Sequence, residues 1–148
     1  MRLIKLGLIS IVFFALMITG VSLFFPSYIR ITKAIDIAAN KDSVMAQVEN
    51  ISNWKNWYPG ADSMKATIIT AVTDSTVIAS NDEPGRKRGE TSWNFYYTEE
   101  SNTTIVQWNM DIHLRWYPWE KFSSLLLESR YGPTMEKGLL DLKKLFNK

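Results

Sequence analysis

Asp111 and His113 stand two residues apart in the run TTIVQWNMDIHLRW. Spaced i and i+2 on a strand, they share one face, where a carboxylate could orient an imidazole for general-base work or offer two metal ligands. His113 is the only histidine in the chain. No further ligand falls at metal spacing, so a solvated surface position is expected for it. Glu99 and Glu100 lie in a turn-like stretch and are read as a solvated pair. The chain has no cysteine, which excludes thiolate nucleophiles, thiolate metal ligands and disulfides. No glycine-rich phosphate loop or nucleophile elbow is present. The sequence nominates no catalytic residue, metal or cofactor. Two ionisable residues, Lys33 and Glu90, remain as groups that could enter a pocket.

The elements that would position these residues begin with an apolar run. Residues 6–25, LGLISIVFFALMITGVSLFF, carry no charge. Twenty helical residues rise about 30 Å, roughly the thickness of a hydrocarbon core. Pro26 closes the run. Residues 1–26 are therefore read as a single-pass transmembrane anchor and residues 27–148 as one domain. A cleaved signal peptide, with Gly20-Val21-Ser22 as its site, is the competing reading. Arg2, Lys5 and the N-terminal amine against Arg30 and Lys33 favour the N-terminus inside and the domain outside.

Charge narrows the function classes. The chain has 17 Lys and Arg against 15 Asp and Glu. Arg2 and Lys5 precede the apolar run, so the rest of the chain is formally neutral, with 15 of each sign. A nucleic-acid binder needs a surplus of cations to displace counterions, and nucleic acid is set aside as a partner.

After the anchor, Ile29, Ile31, Ile35 and Ile37 alternate along YIRITKAIDI, the period of a strand with one buried face. Lys33 falls in phase with them, either as a snorkelling side chain at a sheet edge or as a cation inside a pocket. Asn40 is the expected N-cap of a short helix over KDSVMAQVEN, with Val44, Met45 and Val48 on its inner face. A helical turn over ISNWKNW should follow and end at Pro59-Gly60. MKATIITAV and STVIAS read as strands joined by a tight turn at Thr73-Asp74, and NDEPGRKRGE as a loop. In ETSWNFYYT, Trp93, Phe95 and Tyr97 share a face. In the next strand Val106, Trp108, Met110, Ile112 and Leu114 share one face, and Gln107, Asn109, Asp111 and His113 form a polar face expected to meet water. EESN is short enough to make these two strands a hairpin. Phe122, Leu125, Leu126, Met135, Leu139, Leu142 and Phe146 recur near helical spacing, with a kink or break expected at residues 129–131 ahead of Pro133.

This order resembles the START-like superfamily, also called SRPBCC or polyketide cyclase/dehydrase. ITKAIDIAANKDSVMAQVENISNWKNWYPG looks like its opening strand and helix pair, with Trp54, Trp57 and Pro59 on its Trp-x-x-Trp-x-Pro signature. NTTIVQWNMDIHLRWYPWEKF and YGPTMEKGLLDLKKLF look like its penultimate strand and terminal helix. The resemblance implies an α+β helix-grip fold: a curved antiparallel sheet around a long kinked C-terminal helix, with an apolar cavity between. Only two short strands are found between Gly60 and Glu90, so five or six strands are expected where the family has seven.

The functional expectation is non-catalytic binding of a hydrophobic small molecule or lipid at a membrane. Cavity-lining residues would be Trp93, Phe95, Tyr97, Trp108, Met110, Leu126, Met135 and Leu139, with Lys33 as the polar group. Trp54, Trp57 and Pro59 would close one end of the fold. Two alternatives stay open: an enzyme acting on a polyketide-like substrate, and a membrane-anchored interaction module with a filled core. The latter draws on Trp116, Tyr117 and Trp119, which cannot all be buried in one core. Oligomeric state is left open.

Overall fold

The computed structural model describes residues 2–63, 67–81 and 89–147. Helix α1 spans Arg2–Ser22, starting earlier and ending earlier than the uncharged run. Backbone bonds from Leu23, Phe24 and Phe25 to the carbonyls of Gly20, Val21 and Ser22 tighten its last turn before Pro26. Its stretch Leu3–Ser22 has a mean hydropathy of 2.3 and is long and apolar enough to cross a membrane.

Five strands then form one antiparallel sheet: β1 (Tyr28–Ile37), β2 (Thr67–Thr73), β3 (Thr76–Asn81), β4 (Gly89–Thr98) and β5 (Thr103–His113), in the order β1-β5-β4-β3-β2. The alternation in the sequence sets the faces. Ile31 and Ile37 are buried on β1, Trp93 and Phe95 on β4, Val106 and Trp108 on β5. Trp93 pairs with Trp108 directly across the β4–β5 hairpin. Its turn carries Asn102 in the left-handed region, at φ 46°. The tight turn between β2 and β3 falls at Asp74-Ser75. Residues 64–66 of the expected strand, and the loop residues 82–88 with Arg86, Lys87 and Arg88, lie outside the described residues.

Helix α2 spans Lys41–Glu49, capped by Asn40, whose side chain accepts from the Ser43 backbone N–H at 2.9 Å. The Trp-x-x-Trp segment forms a 3₁₀ turn, Ile51–Asn56, that folds back on α2. The indole N–H of Trp54 donates to the Val48 carbonyl (2.7 Å) and that of Trp57 to the Gln47 carbonyl (3.2 Å). Both are among the last carbonyls of α2, which have no partner within the helix. The motif thus satisfies α2 and packs it on the sheet at once.

The C-terminal region consists of α3 (Pro118–Ser123), a 3₁₀ turn at Ser124–Leu126 and α4 (Leu127–Lys144). The interruption falls before α4, and not at residues 129–131. Pro133 sits within α4. With no N–H, it removes the donor that would otherwise bond the Ser129 carbonyl. Gly132, Met135, Gly138, Leu139 and Leu142 form the buried stripe of α4, which packs on β1 and sets Gly138 against Trp108 of β5.

The outer face of β5 differs from expectation. Asn109 and Asp111 are buried, with relative exposures of 3% and 6%. β5 lies between β1 and β4, so long polar side chains from its neighbours fold over it. Arg30 grips Asp111 through Nε–Oδ1 (2.7 Å) and Nη2–Oδ2 (2.8 Å), a bidentate pair. Thr32 (2.9 Å) and Gln107 (3.2 Å) both donate to Asn109 Oδ1.

Candidate functional site

A cavity of about 810 Å³, partly open to solvent, lies over the end of the sheet where β3 stops, β4 starts and β5 finishes. Ala79, Thr91, Trp108, Met110 and Ile112 form its floor. The Tyr58-Pro59-Gly60 turn bounds one side, and Ser123, Leu126, Leu127, Tyr131 and Met135 bound another. Volume and lining suit a small apolar molecule with a few polar contacts.

The polar groups on the wall differ in state. The Thr91 hydroxyl accepts from the Trp108 indole N–H at 2.6 Å and donates to the Asn109 carbonyl at 3.2 Å, so it is fully engaged. Thr67 Oγ1 is buried and has no hydrogen-bond partner among the described residues. Burial pushes the Tyr58 phenol up to about 12, so it stays a neutral O–H at physiological pH. Glu90 and Arg130, both exposed, stand at the cavity's edge.

Of the residues singled out from sequence, Trp108, Met110, Leu126 and Met135 come together on this wall, joined by Pro59. Trp93, Phe95 and Leu139 are fully buried in the core beside it. Trp93 sits under a cage of Trp54, Trp57, Tyr58 and Trp108, with ring centroids 5.2–6.5 Å away. Tyr97 is away from the cavity, bonded through its hydroxyl to Asn102 (3.0 Å). It lies six residues along β4 from Thr91, about 20 Å towards the opposite end of the sheet. Lys33 points to the inner side as its phase requires, but its stem passes across Gly132 and its ammonium meets Glu136 at 2.8 Å. Hydrogen bonding to that carboxylate holds the Lys33 ammonium above its ordinary range. It is absent from the cavity wall.

Sequence reasoning missed Thr67, Thr91, Ala79 and Tyr131, which line the cavity. Small and hydroxylic residues in strands carry no distinctive pattern; only the in-phase position of Thr91 before Trp93 pointed inward. His113 packs its ring edge against Tyr28 (5.2 Å) on the outer face of the sheet, opposite this wall. No group of three or more His, Cys, Asp or Glu placed to hold a metal occurs among the described residues.

No protein-family model and no curated protein matches the chain. Solved structures do. The XoxI protein of Bacillus cereus aligns with a TM-score of 0.59 at 14% identity, over 80% of this chain and 96% of that one. A Nitrosospira multiformis protein aligns at 0.58 and 16% identity, with the same coverage. The Zhui aromatase/cyclase of Streptomyces sp. R1128 aligns at 0.53 and 10% identity, over 81% of this chain and 94% of that one. The domain shares its fold with these structures, an α+β arrangement of one curved five-stranded antiparallel sheet against a long C-terminal helix. The grip is made by α4 against β1, with Gly138 set on Trp108 of β5, and the cavity lies between the end of the sheet and the first half of α4.

Proposed function

We propose that the protein binds a hydrophobic small molecule or lipid, without transforming it, in the cavity between the sheet and the C-terminal helix. The observation that carries this reading is the cavity itself: about 810 Å³, floored by Ala79, Trp108, Met110 and Ile112. Apolar surface of this kind drives uptake at roughly 25 cal/mol per Å² buried, and the few hydroxyls orient the guest. A fold shared with an aromatase/cyclase supports the reading that the guest is hydrophobic. Helix α1 supports a membrane setting. In this reading residues 1–26 anchor the chain with its N-terminus inside, and residues 27–148 work outside.

The test is native mass spectrometry of the full chain released from detergent micelles, alongside titration with a fluorescent fatty acid. A co-purifying apolar ligand and saturable probe binding are expected. Ala79→Phe and Met110→Trp, which fill the cavity from two strands, should each weaken probe binding at least ten-fold. No ligand and no saturable binding would overturn the proposal, as would unchanged binding in both folded variants.

A further inference from the structure

The segment from Trp116 to Leu126 is apolar where it ought to be polar. Trp116, Trp119, Leu125 and Leu126 are 66–68% exposed. Trp116 and Tyr117 lie 4.8 Å apart, and Tyr117 stacks on Trp119 at 4.9 Å and 10°. Three large rings are thus held together at the surface. Along the chain Trp119, Phe122 and Leu126 are spaced i, i+3 and i+7, one side of a helical path.

This stripe adjoins the end of α1. Phe122 meets the ring of Phe25 at 5.4 Å, edge on. On the other side of α3, Lys121 is 4% exposed, and its ammonium donates to the Phe25 carbonyl (2.8 Å) and to Ser27 Oγ (3.1 Å). A buried ammonium is expensive unless its donors are used. Here two of them tie α3 to the link that leaves α1. Leu23 and Phe24, also strongly exposed, extend the apolar surface along that link.

We infer that the Trp116–Leu126 segment is a second membrane-contact element, seated in the headgroup zone of the bilayer that α1 crosses and fastened to α1 by Lys121. This rests on the membrane reading of α1. Aromatic rings with polar edges favour that zone, and a short amphipathic helix lies in its plane. Continuity with α1 selects lipid over a protein partner, because the stripe begins where α1 ends. The same segment supplies Ser123, Leu126 and Leu127 to the cavity wall. Seating it in the bilayer holds that wall at the lipid surface, so an apolar ligand passes between bilayer and cavity without crossing water.

Because the chain has no cysteine, single nitroxide labels can be placed cleanly. Phe14→Cys, Trp119→Cys, Leu125→Cys and Glu99→Cys are each labelled in the full chain and reconstituted in phosphatidylcholine vesicles. Depth is read from oxygen against nickel-chelate accessibility. The label at 14 should lie deep. Those at 119 and 125 should show an oxygen-to-nickel ratio several-fold above that at 99, which stays aqueous. Lys121→Met should move the label at 125 towards water and leave 14 unchanged; no movement would overturn the fastening role. Deep 14 with aqueous 119 and 125 overturns the contact element while the anchor stands. Aqueous 14 overturns the anchor and the inference together.

Discussion

A Cβ on Gly138 would stand 2.8 Å from Cζ3 of Trp108 and 2.9 Å from Cδ of Pro59. Real side chains essentially never approach that closely. The missing side chain is what lets α4 rest on the Trp108 indole and on the turn after the Trp-x-x-Trp segment. Alanine would add about 0.5–1 kcal/mol in helix propensity and would cost about 1–3 kcal/mol in overpacking. Gly138→Ala should therefore unfold earlier in urea, measured on the full chain in mild detergent. A more stable variant would show that α4 is not seated on Trp108.

Trp57 is 2% exposed and bonds the Gln47 carbonyl at the end of α2. Truncation leaves a cavity inside a cage of rings, and Trp57→Ala should cost about 3–5 kcal/mol. Trp57→Phe keeps most of the apolar area and loses the hydrogen bond, so it should cost less. Near-ultraviolet circular dichroism would report the cage: its signal should collapse in the alanine variant and persist in the phenylalanine variant. Equal losses for both would make the Gln47 bond, and not the ring, the main contribution.

Much of this was legible because one period governs a strand. Ile31, Trp93, Phe95, Val106 and Trp108 are buried where alternation put them, and Asn40 caps α2 through its own side chain. Burial that depends on neighbouring strands was not legible. Asn109 and Asp111 alternate like solvent-facing residues, yet Thr32 and Arg30, 77 and 81 residues away in sequence, cover them. Tyr97 has the right phase and the wrong end of its strand, since alternation fixes a face and says nothing of position along it. Lys33 is drawn away from the cavity by Glu136, and the sequence could not say which turn of α4 would lie over it.

The Arg30–Asp111 pair gives a pH dependence with a definite sign. Hydrogen bonding from the Arg30 guanidinium holds the Asp111 carboxyl below the usual carboxylate range. A folded-state value below the unfolded one, about 3.9, stabilises fully above that pH. The contribution is lost as pH falls through the folded value. Asp111→Asn should be less stable than the parent at pH 7, and the gap should narrow below about pH 4. Stability measured from pH 7 to pH 2 checks this. A gap that stays constant over that range would mean the pair adds no pH-dependent stability.

Two threonines on the cavity wall should respond in opposite ways to loss of the hydroxyl. Thr91 is engaged at both ends, by the Trp108 indole and the Asn109 carbonyl. Thr91→Val strands the indole N–H in an apolar setting and should cost about 1–3 kcal/mol with no ligand present. The Thr67 hydroxyl is buried without a partner among the described residues. Its removal relieves a desolvated group, so Thr67→Val should leave the ligand-free chain as stable or up to about 1–2 kcal/mol more so. Under the binding proposal, an unpartnered hydroxyl on the wall is where a ligand's polar end gains a bond that costs the protein none of its own. Thr67→Val should then weaken a ligand with a hydroxyl or carboxyl head by about 2–10-fold, the worth of one hydrogen bond, and leave a pure hydrocarbon probe unaffected. Paired titrations with a long-chain alcohol and the matching alkane would decide it. Equal affinities of parent and variant for the alcohol would remove Thr67 from the site.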